Sequence, residues 1–352
     1  MKQSINNSAP GFILVLTLMI LSIMVVMVTQ LYNRGRTHLY FTRTMIEREQ
    51  AKLLALGGIQ LAMSQLSVPP EEESDDKQTP EKPKQDPSII FLKKNLATLN
   101  LWQDFILQED IDGLDGKIQL CISSEDGKID INQFFDFTTK KFLNEKSVTN
   151  DSKKALTAVF AAAKKFLNNK DLFEPFEKFL KQRQYKLNDI TELLIIEEFQ
   201  NVFKDKVFYE PPISTKKEQR PVYLTDIFTI WSGQPAMNPW LLSDSIRALF
   251  SLKRSEPGDS AEREKQVEQL LKNLKSVSGD LKTVWETSLE KLYAKEFKAI
   301  PNDLTMLLAT KFHYATFSVL SYGTVGKITQ KVLAIVEAQE PVKFLVKKLY
   351  WL

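Results

Sequence analysis

The chain has 352 residues, 43% of them hydrophobic and 26% charged, with a formal net charge of +3; this is enough for two or three folded domains. The charge is close to balanced, and no long basic block or basic run with interleaved aromatics offers itself to nucleic acid. One cysteine, Cys121, excludes an intrachain disulfide, and only two histidines, His38 and His313, nearly exclude a His/Cys zinc site.

The first element is the run FILVLTLMILSIMVVMV at 12–28, continuing to Tyr32. No charged side chain stands between Lys2 and Arg34, and Thr17, Ser22, Thr29 and Gln30 are its polar members. A hydrocarbon core of about 30 Å needs about 20 apolar residues as helix. Residues 12–32 therefore predict a membrane span, and everything after them is tethered to a membrane or exported through one.

Three readings compete for the start. A cleaved secretory signal wants an Ala-x-Ala-like site, which 26–30 lacks. A plain signal anchor needs no motif. The third rests on Pro10-Gly11-Phe12, where the short polar leader MKQSINNSAPG gives way to Phe and an uninterrupted apolar run. This junction resembles the class III signal of type IV pilins and pseudopilins. The resemblance implies that a prepilin peptidase cuts after Gly11 and that Phe12 becomes a methylated amino terminus. Two positions depart from that pattern. Pro10 stands where Lys or Arg is usual, and Leu16 stands at the fifth mature position, where most members carry Glu. One class characteristically lacks that Glu: the large minor pseudopilin of type II secretion, the general secretion protein K family. The resemblance implies an inner-membrane anchor with the bulk of the chain in the periplasm. The flanking charges point the other way, because Arg34, Arg36 and Arg43 follow the span and only Lys2 and the amino terminus precede it.

Past Tyr32 the helical pattern continues to Leu66. Leu39, Ile46 and Leu53 recur every seven residues, and Leu56, Ile59, Met63 and Leu66 extend an apolar stripe. One helix over 12–66 would be about 80 Å long. Its second half would pack the stripe on a soluble domain, with a bend allowed at Gly57-Gly58. A signal anchor followed by a coiled-coil stalk fits the same pattern. Residues 67–88 carry five prolines, seven acidic residues and three lysines, a composition that cannot bury a core and reads as a disordered linker.

Residues 89–133 begin the α/β part. A helix is expected to about residue 101. Ile118, Leu120 and Ile122 alternate with polar neighbours as a half-buried strand, and Asp126-Gly127 suggests a hairpin to a second strand at 128–132. Cys121 reads as structural. The segment DGKIDIN resembles a motif of the general secretion protein K family at Asp126, Gly127, Lys128 and Asn132, with Asp130 where the family has Asn. Asp110, Asp112, Asp115, Asp126 and Asp130 are carboxylates that could take calcium, but their spacing is not that of an EF-hand. They are assigned to turns, with no metal or other cofactor expected.

Residues 134–312 read as an inserted helical domain, with N-caps at Asp189 and at Ser243 or Asp244. Within it the block 223–250 resembles the family's second signature at Asn238, Leu249 and Phe250, without its N-T-A tripeptide. Strands return at 315–321, 328–337 and 342–352, with turns at 322–326 and 338–341. The expected fold is α+β: a long N-terminal transmembrane helix on a pseudopilin-type antiparallel sheet, with a large all-helical domain inserted in it. No G-x-S-x-G, P-loop or H-E-x-x-H appears, so no enzyme is expected. The resemblance implies a structural subunit at the tip of the secretion pseudopilus. It would be bound to the minor pseudopilins of the I and J types and processed by prepilin peptidase. A generic single-pass periplasmic protein or a minor pilin of a type IV pilus is the alternative.

Overall fold

The computed structural model describes residues 9–67, 86–143, 151–167, 170–211, 221–256, 260–272, 274, 276–340 and 343–352. Helix α1 (Ala9–Leu66) runs unbroken for 58 residues. Over its first half the apolar side chains are bare. The hydroxyls of Thr17, Ser22 and Thr29 donate to the carbonyls of Leu14, Leu18 and Val25 at 2.8–2.9 Å, so these three hydroxyls are satisfied within the helix, as a hydrocarbon environment would demand.

The second half lies on a five-stranded antiparallel sheet. Its strands are β1 (Trp102–Leu107), β2 (Gly116–Ser124), β3 (Thr316–Val325), β4 (Ile328–Glu340) and β5 (Lys343–Trp351), ordered in that sequence from edge to edge. Strand β2 pairs with β3 from Lys117↔Thr324 to Ser124↔Phe317, so the sheet joins parts of the chain separated by residues 125–315. One face meets α1 through Leu120, Ile122, Val319, Val332 and Ala334. The other carries Cys121, Leu320 and Leu333 against Tyr209.

The face of α1 that meets the sheet is built from Ala51, Ala55, Ile59, Ala62 and Leu66, all buried. Leu39, Ile46 and Leu53, the seven-residue stripe, are 74%, 54% and 66% exposed and point away from it. This corrects the first part of the expected stripe, while its continuation holds: Ile59 and Leu66 are buried, and Leu56 and Met63 are half-buried against the core. The cause of the correction is closeness. A Cβ on Gly323 would overlap the Ala51 carbonyl and the Ala55 amide, and one on Gly58 would overlap Ser321. At such an approach only small residues fit between helix and strand. The helix passes through Gly57-Gly58, where a bend was allowed, without interruption. Gly58 serves the contact, and Gly57 has nothing within 4 Å of where its Cβ would be.

Three more expectations change. Helix α2 (Pro87–Asn95), capped by the Asp86 side chain, ends early and gives way to β1, a strand the sequence hid. The hairpin across Asp126-Gly127 does not form. Ile129–Asp130 leaves the sheet and pairs in parallel with Phe228–Thr229 instead. At the other end of the sheet, Gly323 lies inside β3 and the turn is at Gly326. The expected linker at 67–88 falls mostly outside the described residues.

Between β2 and β3 the described elements are mainly helical. They include α3 (Ser152–Ala163), α4 (Phe173–Gln182), α5 (Glu197–Phe203), α6 (Asp244–Leu249) and α7 (Ser260–Leu271). Asp189 caps the 3-10 segment Ile190–Ile195 in a capping box with Glu192, and Ser243 caps α6 through the Ile246 amide. An aromatic cluster fills the centre: Phe160 and Phe176 have ring centroids 5.2 Å apart, and both pack on Phe228. Such ring pairs add to their area of burial. The α+β class expected from the sequence is the one the chain adopts.

Candidate functional site

Two places gather the residues singled out by the sequence. The first is the start of α1. Gly11 and Phe12 lie within this helix, and Leu16 is 46% exposed on its bare apolar part. Residues 1–8 of the leader lie outside the described residues.

The second is a buried polar junction where β2 ends. The chain turns there at Glu125–Lys128, and the Lys128 amide donates to the Glu125 carbonyl at 3.1 Å. Lys128 Nζ donates to Glu125 Oε1 at 2.5 Å and to Ser318 Oγ of β3 at 3.2 Å. The other Glu125 oxygen accepts from the Thr229 hydroxyl. Both ionic side chains are almost wholly buried, at 3% and 4% exposure. A pair so placed must be held by further hydrogen bonds to offset desolvation, and Ser318 and Thr229 supply them. A cavity of about 30 Å³ borders the pair, lined also by Cys121, Ser123 and Tyr350; that is room for a water molecule.

Asp126 and Asp130 tie this turn to distant chain. Asp126 Oδ2 accepts the amides of Ala315 and Thr316, at 2.8 and 3.3 Å, where β3 begins. Asp130 Oδ2 accepts the Gly233 amide at 2.8 Å and the Ser232 hydroxyl at 3.2 Å. Gly127 is required by packing: a Cβ there would run into the Leu241 carbonyl. Asn238 closes the circle. Its amide donates to the Asp126 carbonyl at 2.7 Å, its Nδ2 donates to the His313 carbonyl at 2.6 Å, and its Oδ1 accepts the Trp240 amide at 3.0 Å. Asn132 works nearby, exchanging two 2.9 Å hydrogen bonds with the Leu187 backbone. The motif residues Asp126, Gly127, Lys128, Asp130 and Asn238 therefore share one junction, and Asn132 anchors the adjoining segment.

Several members of the junction carried no sequence signal. Glu125 and Thr229 are two, and Asp226 is a third. Asp226 Oδ2 accepts the Ser245 amide at 2.7 Å and its carbonyl accepts the Ser243 hydroxyl. Beside it Asp244 accepts from Arg254 Nε at 3.2 Å and from the Ser255 amide at 2.8 Å. Asp126 Oδ1 and Asp226 Oδ1 are buried without a hydrogen-bond partner. Burial pushes Asp126 up to about 7, against the pull of the Ala315 and Thr316 amides, and pushes Asp226 up to about 6, against the Lys128 charge. Burial also raises Asp130, partly offset by its three donors. It raises the Cys121 thiol as well, which keeps it an unreactive core group.

Chemically the junction binds chain to chain. It joins the end of β2, the start of β3 and the helical region. Among the described residues no group of three or more His, Cys, Asp or Glu is placed to hold a metal ion. Asp112 and Asp115 accept the amides of Gln108 and Glu109, each at 2.9 Å, as turn residues do.

No protein-family model matches the chain, and no curated protein matches it. Among solved structures it is similar to a chain of the GspK-GspI-GspJ complex from the type 2 secretion system of enterotoxigenic Escherichia coli. The identity is 12%, the match covers 90% of this chain and 99% of that one, and the TM-score is 0.43. A likeness this distant transfers no residue roles.

Proposed function

We propose that the chain is a non-catalytic, membrane-anchored subunit of a pseudopilus-type assembly, specifically a minor pseudopilin of type II secretion resembling general secretion protein K. The carrying observation is the continuity of α1. One unbroken helix offers a bare apolar half for the bilayer and buries its other half on the sheet through Gly58 and Gly323. A subunit built this way moves as one rigid body when its helix is drawn from the membrane. The Gly11-Phe12 junction and Leu16 support the same reading.

On this reading residues 1–11 are the leader and 12–66 the anchor helix. Residues 67–88 form a linker, 89–133 and 313–352 the α/β domain, and 134–312 its helical insertion. The bulk is periplasmic, and the partners are minor pseudopilins of the I and J types. The helical insertion caps the pseudopilus tip by obstructing a further subunit above it. Leu16 fits that place, since a first subunit has no neighbour above whose amine it must neutralise.

The test is co-expression with a prepilin peptidase, followed by sequencing of the mature amino terminus. A start at methylated Phe12, abolished by a bulky residue at Gly11, is the expected result. An intact Met1 refutes it. The second reading, a generic single-pass anchored protein, is favoured by Arg34, Arg36 and Arg43 after the span, and it predicts that intact terminus.

A further inference from the structure

The chain has no aspartate or glutamate before Glu47. Its cations in that stretch are Lys2 on one side of the apolar run and Arg34, Arg36 and Arg43 on the other. Arg43 is committed to Glu47, 2.8 Å away on the same helix face. Arg34 and Arg36 are exposed on α1. At 1.5 Å per residue they stand about 3 and 6 Å beyond Tyr32. The polar layer of a bilayer, roughly 40–45 Å overall less about 30 Å of hydrocarbon, is about 5–8 Å deep on each side. With Tyr32 at the hydrocarbon edge, where tyrosines favour the interface, the backbone positions of both arginines fall within the polar layer, within side-chain reach of the lipid phosphates. Two residues of helix turn the second arginine about 200° from the first, so the pair faces both sides of α1. The Arg36 guanidinium lies 5.7 Å from the Tyr32 ring centroid, which joins an apolar ring and a cation into one interfacial unit. His38 stands one turn above Arg34.

We infer that Arg34 and Arg36 form a collar that binds the phosphates of anionic glycerophospholipids and sets the height of α1 in the bilayer. The guanidinium fork suits a phosphate, offering paired donors and a charge that is never lost. The absence of any acid through residue 46 leaves nothing on the helix near the collar to compete for it. A cation close to an anionic surface changes occupancy by about fivefold, so two give about twenty-fivefold at low salt. The arginines that weigh on topology by simple counting thus gain a binding role on whichever side of the membrane they stand. The inference rests on reading 12–32 as a span and is independent of peptidase processing.

The test uses the full chain, with Lys2→Gln as background, so that the amino terminus is the one cation left at the opposite leaflet and is the same in every variant. It is reconstituted in phosphatidylcholine vesicles with a trace of spin-labelled phosphatidylglycerol or spin-labelled phosphatidylcholine. The motionally restricted fraction in electron paramagnetic resonance gives the relative association of the two lipids. The expected result is a preference of tenfold or more for phosphatidylglycerol, falling about fivefold with each of Arg34→Gln and Arg36→Gln. Molar salt abolishes it, and Arg43→Gln leaves it unchanged. No preference in the parent chain, or a preference that survives in the double variant, overturns the inference. Peptidase cleavage is scored on the same proteins, so failure of the processing reading and failure of the collar are separately visible.

Discussion

Two adjacent glycines of α1 and one of β3 test the helix–sheet contact by the sign of their response. Gly57 faces open space, so Gly57→Ala adds no contact and removes backbone freedom from the unfolded chain. It should stabilise by about 0.5–1 kcal/mol. Gly323→Ala is the opposite case. Its Cβ would overlap the Ala51 carbonyl and the Ala55 amide and stand 2.9 Å from Leu54 Cβ. Carbon contacts sit at about 3.5–4.0 Å, so α1 must lift by roughly 1 Å. A gap of that size forfeits about a quarter to a half of each lost contact, and overpacking of this kind costs about 1–3 kcal/mol. That exceeds the backbone gain, so the net sign is destabilising. Gly58→Ala falls between, because its closest obstacle is the Ser321 hydroxyl, which has no hydrogen-bond partner and can rotate away, though Ile118 Cγ2 at 2.9 Å cannot. The measurement is urea unfolding of the detergent-solubilised full chain followed by circular dichroism. The expected order of midpoints is Gly57→Ala, parent, Gly58→Ala, Gly323→Ala. A Gly323→Ala protein as stable as Gly57→Ala refutes the close approach and the registration of α1 on β3.

The buried junction yields the remaining predictions. Lys128→Met strands the Glu125 carboxylate in the interior and should cost about 3–5 kcal/mol in the same assay, with Glu125→Gln added to it recovering part of the loss. Asp126 and Asp226 are held at about 7 and about 6 against an ordinary 3.8, so the fold takes up protons there. Stability that depends on them is complete below about pH 4 and declines as pH rises, through about 6 for Asp226 and about 7 for Asp126. Asp226→Asn should remove about 3 kcal/mol of that decline, and a pH profile parallel to the parent's contradicts the assignment. Cys121, buried with a raised thiol, should react with a maleimide at a rate that follows global unfolding; fast labelling of the native chain would rule out its place on the covered sheet face.

Long, periodic segments were legible in the sequence because their pattern is local. The anchor helix and the three C-terminal strands carry it over nine residues or more. The face of α1 was legible only toward its end, where Ile59 and Leu66 of the expected stripe are buried. Hydrophobicity points to Leu39, Ile46 and Leu53, whereas the sheet selects Ala51, Ala55 and Ala62. The selection depends on Gly323, more than 250 residues downstream, and no helical period contains that information. Strand β1 failed for a related reason: it is an edge strand whose Ile106 is exposed and whose Asp104 pairs with Lys117, so its alternation is weak.

The candidate site was legible only in outline. Asp126-Gly127 reads locally as a hairpin turn, since Asp-Gly between alternating apolar runs is the usual sign of one. Here Gly127 is demanded by the Leu241 backbone instead, and Asp126 by the amides at 315 and 316. Both demands come from chain that folds back across the helical region. The same holds for Glu125, which looks like a solvated turn residue until Lys128, Thr229 and Ser318 enclose it. Charges are buried here because three backbone segments converge and leave donors that water cannot reach. Carboxylates meet them at the cost of two oxygens, on Asp126 and Asp226, that find no donor. Such a junction gains specificity of docking more than stability. Together with the packing of Tyr209 on the second sheet face and the bonds of Tyr322 to Glu210 and Tyr350 to Asp189, it holds the helical region in one orientation on the sheet and α1.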